Sequence, residues 1–198
     1  MDFANGVLGD WGVHWFDQIL WITEEKYPKR VFSTGGRFIR EGPADAPDTQ
    51  VASFQFESLT VEWEHRQYAG NEAEKHPLGC YFYGTEGTVH MGWLDGWTFY
   101  PAKKGGQVVH QEPRLGQPDD QNIRELWADF LEAIRTGRRP VSDLELGYRS
   151  TNLSLLGMVS FKLGRSLTWD GEKEVIVGDP EANRLLRRPY RAPWKYPG

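Results

Sequence analysis

The sequence predicts an α+β fold, an open-faced and mostly antiparallel β-sheet with helices packed on one face, and three observations predict it. Residues 51–64 alternate in period two, with Val51, Ser53 and Gln55 against Ala52, Phe54 and Phe56, then Leu59, Val61 and Trp63 against Thr60, Glu62 and Glu64. Segments of helical period flank this β-rich stretch instead of alternating with each strand, which favours layers over βαβ units. No two glycines stand two positions apart anywhere in the chain, so the G-x-G of a dinucleotide-binding turn, and with it a Rossmann domain, is absent.

In chain order, the first element is a helix over residues 8–24, which stops before Tyr27-Pro28. KRVFSTGGRF then reads as a strand running into a glycine turn, and EGPADAPDT (41–49) as a polar loop. Two half-buried strands meet near Glu57-Ser58. From Cys80 to Gln111, short β segments punctuated by Gly84, Gly87, Asp95-Gly96 and Gly105-Gly106 form an antiparallel meander. The period changes in IRELWADFLEAIRTG, which puts Ile123, Leu126, Trp127, Phe130, Leu131 and Ile134 on one helical face and ends at Gly137. A second helix runs from about Asp143 to Leu163 and closes at Gly164. Two short strands, around SLTWD and EVIVG, precede an extended Pro/Arg-rich tail at 179–198. At 198 residues the chain is expected to be a single domain, 1–198.

Composition narrows the function. A formal net charge of −5 does not favour capture of nucleic acid or an anionic membrane. Cys80 is the only cysteine, which excludes an internal disulfide and a cysteine-built zinc site. No apolar run approaches the roughly 18 residues of a membrane span, and the start lacks the basic and small-residue marks of a signal peptide; the expected location is cytoplasmic. His65, His90 and His110 fall on separate strands with no H-x-H or H-x-x-x-H spacing, so no metal site is expected, although His65 and His76 are able to line a pocket.

The chemistry concentrates in the first helix. At roughly 100° per residue, Asp10, His14, Asp17, Gln18 and Trp21 share one narrow arc, while Trp11, Trp15, Phe16, Ile19, Leu20 and Ile22 cover the rest. The helix is therefore expected to be nearly buried, with its thin polar stripe on the wall of a cleft. A carboxylate beside an imidazole holds it in one tautomer and suits it to acid/base work near neutral pH. The same residues admit a second account, in which Asp10 favours the helix N-terminus as a cap, His14 pairs with it at i+4 and Asp17 is simply exposed. Spacing alone leaves both open. Among the nine tryptophans, Trp21 on the stripe and Trp97 near a turn are the candidates for ligand contact.

The stretch Asn5 to Asp17, NGVLGDWGVHWFD, resembles the D-x-G-x-H-x-x-D motif in the substrate domain of the Gfo/Idh/MocA oxidoreductases. Tyr83–Val89, Gly96–Pro101, the helix LWADFLEAIRTGRRP and the tail Glu181–Trp194 are similar to further segments of that family. The resemblance implies that Asp10 and His14 are a substrate-side acid/base pair, with Asp17 at lower rank. It implies a sugar or cyclitol substrate, NAD or NADP in a full-length relative, and a sheet face used for self-association into a homo-oligomer. The family's glycine-rich phosphate loop and its Glu-Lys-Pro lysine have no counterpart here: Glu25-Lys26-Tyr27-Pro28 lies downstream of the helix and carries an inserted Tyr. The chain thus looks like a substrate domain truncated at its N-terminus, binding no cofactor by itself and not redox-active alone. A fragment, a natural stand-alone protein and a subunit partnered by a separate Rossmann-domain chain all fit. So does a non-catalytic carbohydrate-binding or assembly module derived from this domain.

Overall fold

A computed structural model describes residues 4–68, 70, 75–114 and 123–195. In chain order its elements are α1 (Gly6–Thr23), β1 (Arg30–Gly36), β2 (Thr49–Gln55), β3 (Thr60–Arg66), β4 (Gly79–Gly84), β5 (Gly87–Gly92), β6 (Trp97–Pro101), β7 (Val109–Gln111), α2 (Ile123–Thr136), α3 (Leu144–Leu163), β8 (Leu167–Asp170), β9 (Val175–Ile176) and α4 (Pro180–Arg184). The α+β class and the antiparallel pairing are as expected. The strands, however, fall into two sheets, ordered β3-β2-β1-β8-β9 and β4-β5-β6-β7, and the chain divides into two compact units, Met1–Ala69 with Glu145–Gly198, and Gly70–Leu144.

In the first unit, alternation decides which side of the sheet is covered. Registers Val31↔Phe54↔Val61 and Ser33↔Ala52↔Trp63 put two rows of residues on one face, and all six are buried. Helix α1 lays Leu8, Gly12, Trp15, Phe16, Ile19 and Leu20 on that face; the Phe16 ring is 5.0 Å from Phe54 and 6.1 Å from Trp63. Helix α3 packs alongside, and glycine permits the approach. A Cβ at Gly157 would stand 2.8 Å from Leu8 Cδ2, and one at Gly12 would stand 2.8 Å from Ser154 Oγ. A buried polar seam ties α3 to the sheet: Ser33 N–H donates to Ser160 Oγ (2.9 Å), Gln50 Nε2 to Ser33 Oγ (2.9 Å) and Ser160 Oγ to the Arg165 carbonyl (2.7 Å). The outer face is mostly polar, with Phe32 and Val51 among Thr34, Gln55, Thr60, Glu62 and Glu64. The aromatic residues of QVASFQF, Phe54 and Phe56, are both buried and add nothing to this outer face.

The tail is not extended from its start. Asp179 caps α4, accepting from Ala182 N–H at 3.0 Å, and also holds Arg165; the Asn183 amide pairs with both backbone groups of Ile176 on β9.

In the second unit, β4 to β7 form the expected meander, joined in sequence order. Gly96, at φ +66°, makes the β5–β6 turn where a Cβ would meet the Gln111 carbonyl oxygen at 1.9 Å. His90 is the one buried residue among the described positions of this sheet, and Ala133 the one in α2. The apolar face of α2 is formed as its spacing predicts, yet Trp127, Phe130 and Ile134 are all exposed. Among the described residues no helix is long and apolar enough to cross a membrane.

Candidate functional site

Helix α1 begins at Gly6, two residues earlier than its periodicity predicts, with Asn5 at the cap position and no acidic residue in its first turn. Asp10 therefore lies in the second turn, beyond the reach of a capping side chain, and the capping account of it does not hold. The helix ends at Thr23, where Glu24 turns left-handed (φ 58°) and its N–H returns to the Leu20 carbonyl at 2.9 Å.

The stripe itself is present. Asp10, His14, Asp17 and Trp21 are exposed on one side of α1, and Gln18 is half-buried beside them. The helix is less buried than expected: Trp11 and Val13 are half-buried and Ile22 is exposed, because the sheet and α3 cover only the arc from Leu8 to Leu20. The stripe is thus presented by a helix whose opposite side is anchored in the core. Trp21 is 78% exposed, an indole face open to a ligand. Trp97, 39% exposed on β6, belongs to the second unit and is no part of this stripe.

Burial pushes the Asp17 carboxyl above its ordinary value, and the charge of His14, one turn away, pulls it partly back. The acid and the imidazole therefore sense each other electrostatically, as their i, i+3 spacing requires.

Asp10 also lines a cleft of about 540 Å³ formed by the first turns of α1 (Asn5, Gly6, Gly9, Trp11), by Ala46-Pro47 and by Gln67. This wall is held from behind. The Asp48 side chain, 1% exposed, accepts N–H bonds from Phe38 (3.1 Å), Ile39 (2.9 Å) and Arg40 (2.9 Å) and the Thr49 hydroxyl (3.0 Å), and these bonds hold its carboxyl far below the usual carboxylate range. The Trp63 indole donates to His65 Nδ1 at 3.0 Å, so the ring proton sits on Nε2, which donates to the Pro47 carbonyl at 3.3 Å. Burial lowers the His65 pKa and keeps that imidazole neutral. Gly6, at φ +64°, admits Ala46 closely; a Cβ there would lie 3.1 Å from the alanine methyl. Nothing in the sequence pattern marks Asp48 as the clamp of the 37–48 loop, since its partners within that loop are backbone groups.

The three histidines on separate strands have different partners. His65 serves the cleft wall, and His110 contacts the Thr98 hydroxyl (2.8 Å) and Glu112 (3.3 Å) on the second unit's sheet. His90 instead stacks on His76. In the tail, Arg184, Arg187 and Arg188 line a second cleft of about 910 Å³ with Lys162 and Trp169.

The first turn of α1, where backbone N–H groups could receive a pyrophosphate, shares its cleft with the Asp10 carboxylate, and no G-x-G loop stands there.

Residues 2–90 match the family described as GFO/IDH/MocA C-terminal domain, and residues 106–196 match that described as oxidoreductase family, C-terminal alpha/beta domain. No curated protein matches the sequence. Among solved structures, the chain is similar in fold to a UDP-N-acetylglucosamine 3-dehydrogenase from Acidithiobacillus ferrooxidans (TM-score 0.59, 16% identity, 77% of this chain and 46% of that one). It is similar to an aldose-aldose oxidoreductase from Caulobacter crescentus, solved with glycerol (0.58, 20%, 79% and 45%). An oxidoreductase from Agrobacterium radiobacter, in complex with NAD+, L-tartaric acid and magnesium, is similar too (0.59, 13%, 83% and 48%). The chain spans about half the length of the structures it matches.

Proposed function

Because the chain belongs to the C-terminal domains of the Gfo/Idh/MocA oxidoreductase family, we propose that it supplies the substrate side of an NAD(P)-dependent enzyme acting on a sugar or cyclitol. His14 exchanges a proton with a substrate hydroxyl, and Asp10, from the cleft edge one turn earlier, orients the substrate or that imidazole. Asp17 and Trp21 contribute further contacts, the first polar and the second by stacking on a sugar ring. The cofactor is held by another domain, since the sequence carries no G-x-G phosphate loop. The observation that carries the reading is the exposed Asp10–His14–Asp17–Trp21 stripe on a helix anchored by its other face. An acid and an imidazole held on a rigid element have the placement that acid/base catalysis needs.

The decisive experiment joins this domain to a cognate cofactor-binding half and compares it with the Asp10→Asn/His14→Gln variant. Turnover falls by about 100-fold or more if the pair performs acid/base catalysis. Normal turnover in the double variant removes the assignment.

A second reading, a carbohydrate-binding module without turnover, is favoured by the openness of Trp21. Sugar-dependent heat stabilisation that Trp21→Ala abolishes, together with no turnover in the joined enzyme, selects it. Under either reading the chain self-associates through the sheet of its second unit. Trp97 and Val109 are exposed on one face of the second unit's sheet, where the register sets them beside Phe82, Val89 and Phe99, and this face provides the apolar surface for a second copy. Light scattering at micromolar concentration is expected to show a dimer or larger.

A further inference from the structure

In the second unit, one side chain is buried without a partner. His90, on the central strand β5, is 1% exposed, and among the described residues its Nε2 has no hydrogen-bond partner. A buried nitrogen left so is costly, and in native structures such an atom calls for an explanation. His76, from the segment entering β4, stacks on it with ring centroids 3.8 Å apart and planes inclined by 23°; its own Nε2 is likewise buried and unpartnered among the described residues. The Nδ1 of His76 lies 3.4 Å from Asp95 Oδ2, in the turn between β5 and β6.

The backbone makes room for this cluster. A Cβ at Gly79 would come within 2.4 Å of His90 Nε2, and one at Gly92 within 1.3 Å of Asp95 Oδ1. Both positions pair directly across β4 and β5, Gly79 with Gly92. One ligand atom from each of His76, His90 and Asp95 lies within 4.8 Å of the others.

We propose that His76, His90 and Asp95 form a binding site for a divalent transition-metal ion of the zinc type. Two imidazoles and a carboxylate suit zinc and its first-row neighbours, whereas magnesium and calcium prefer all-oxygen shells. Three protein ligands leave a fourth position to water. In a tetrahedral site with bonds of about 2.0–2.1 Å, donors stand about 3.4 Å apart, so the cluster must draw in by up to about 1.4 Å. The stacked rings must also part, because a metal lies in the plane of each imidazole it binds. His90 is fixed in the sheet. His76, with its side chain 16% exposed, and Asp95, 53% exposed in its turn, are the members able to move. The bound ion would fasten the chain before β4 to the sheet, in a unit that otherwise buries little.

The test is calorimetric titration of zinc chloride into the whole chain after chelator treatment and dialysis. One ion per chain is expected, with magnesium failing to compete. His76→Gln, His90→Gln and Asp95→Asn each weaken binding by at least about tenfold, while His110→Gln, on the exposed β7, leaves it unchanged. Asp95 is largely exposed, so its variant stays folded even if replacement of His90 disturbs the sheet. Absence of zinc binding overturns the proposal, and so does binding that survives Asp95→Asn and His76→Gln, which puts the ion elsewhere.

Discussion

The two sheets of this chain are built from equally regular strands but differ in what they bury. In the first unit the inner row of β1, β2 and β3 meets α1 and α3, and Val31, Ala52 and Phe54 are wholly buried. In the second, the described strands bury His90 alone, and α2 buries Ala133 alone. Alternation in a sequence states which residues share a face; whether anything covers that face is a separate fact. Coverage in the first unit depends on small residues where helices cross, Gly12 and Gly157, and on polar groups that bond across the seam, Ser33 and Ser160.

The sharpest way to break this contrast is to truncate one aromatic residue in each unit. Phe54→Ala empties the contact of Phe54 with Phe16 and is expected to cost about 3–5 kcal/mol. Phe130→Ala, on the open face of α2, should cost under about 1 kcal/mol. Urea unfolding of the two variants measures both. Equal losses would mean that the α2 face is covered in solution, by a second copy or otherwise.

A smaller effect, of opposite sign at two sites on α3, sharpens the comparison within one helix. Gly157→Ala places a methyl 2.8 Å from Leu8 and 3.3 Å from Phe54, and overpacking of about 1–3 kcal/mol outweighs the better helix propensity. Gly147→Ala meets nothing within 4 Å and should gain about 0.5–1 kcal/mol. The same melting experiment reads both; a stabilising Gly157→Ala would show that the crossing is looser than its geometry.

Much of this was legible in the residues. The strand pairs around Glu57-Ser58, the glycine stops at Gly137 and Gly164, and the Asp10–His14–Asp17–Trp21 arc follow from period and from stop signals. Other features were not. At the start of α1, Gly6 lies close against Ala46, 40 residues away in sequence and invisible to periodicity. Helix α4 did carry a local signal, Asp179 followed by Pro180, but five residues show no period. The His76–His90 stack joins positions 14 apart through the β4–β5 pairing, so no spacing rule on one element reveals it. Coverage of α2 is a tertiary property that its amphipathic pattern does not contain.

The smallest effect concerns the stripe on α1, the one exposed face in the first unit for which a function is proposed. Burial raises the Asp17 pKa above its unfolded value near 3.8, and His14 only partly reverses this. Between the two values the folded state holds more protons than the unfolded one, so this residue's contribution falls as pH rises through that window and remains unfavourable at neutral pH. Asp17→Asn should therefore raise the melting temperature at pH 7 and leave it unchanged near pH 3, where the native carboxyl is itself protonated. Asp17 is exposed, so the gain should be no more than about 0.5 kcal/mol. An acid kept where it weakens the fold is what a site selected for binding or catalysis leaves behind. A loss of stability at pH 7 in the asparagine variant would mean instead that Asp17 and His14 form a stabilising surface pair, and the stripe would then owe its charges to the helix alone.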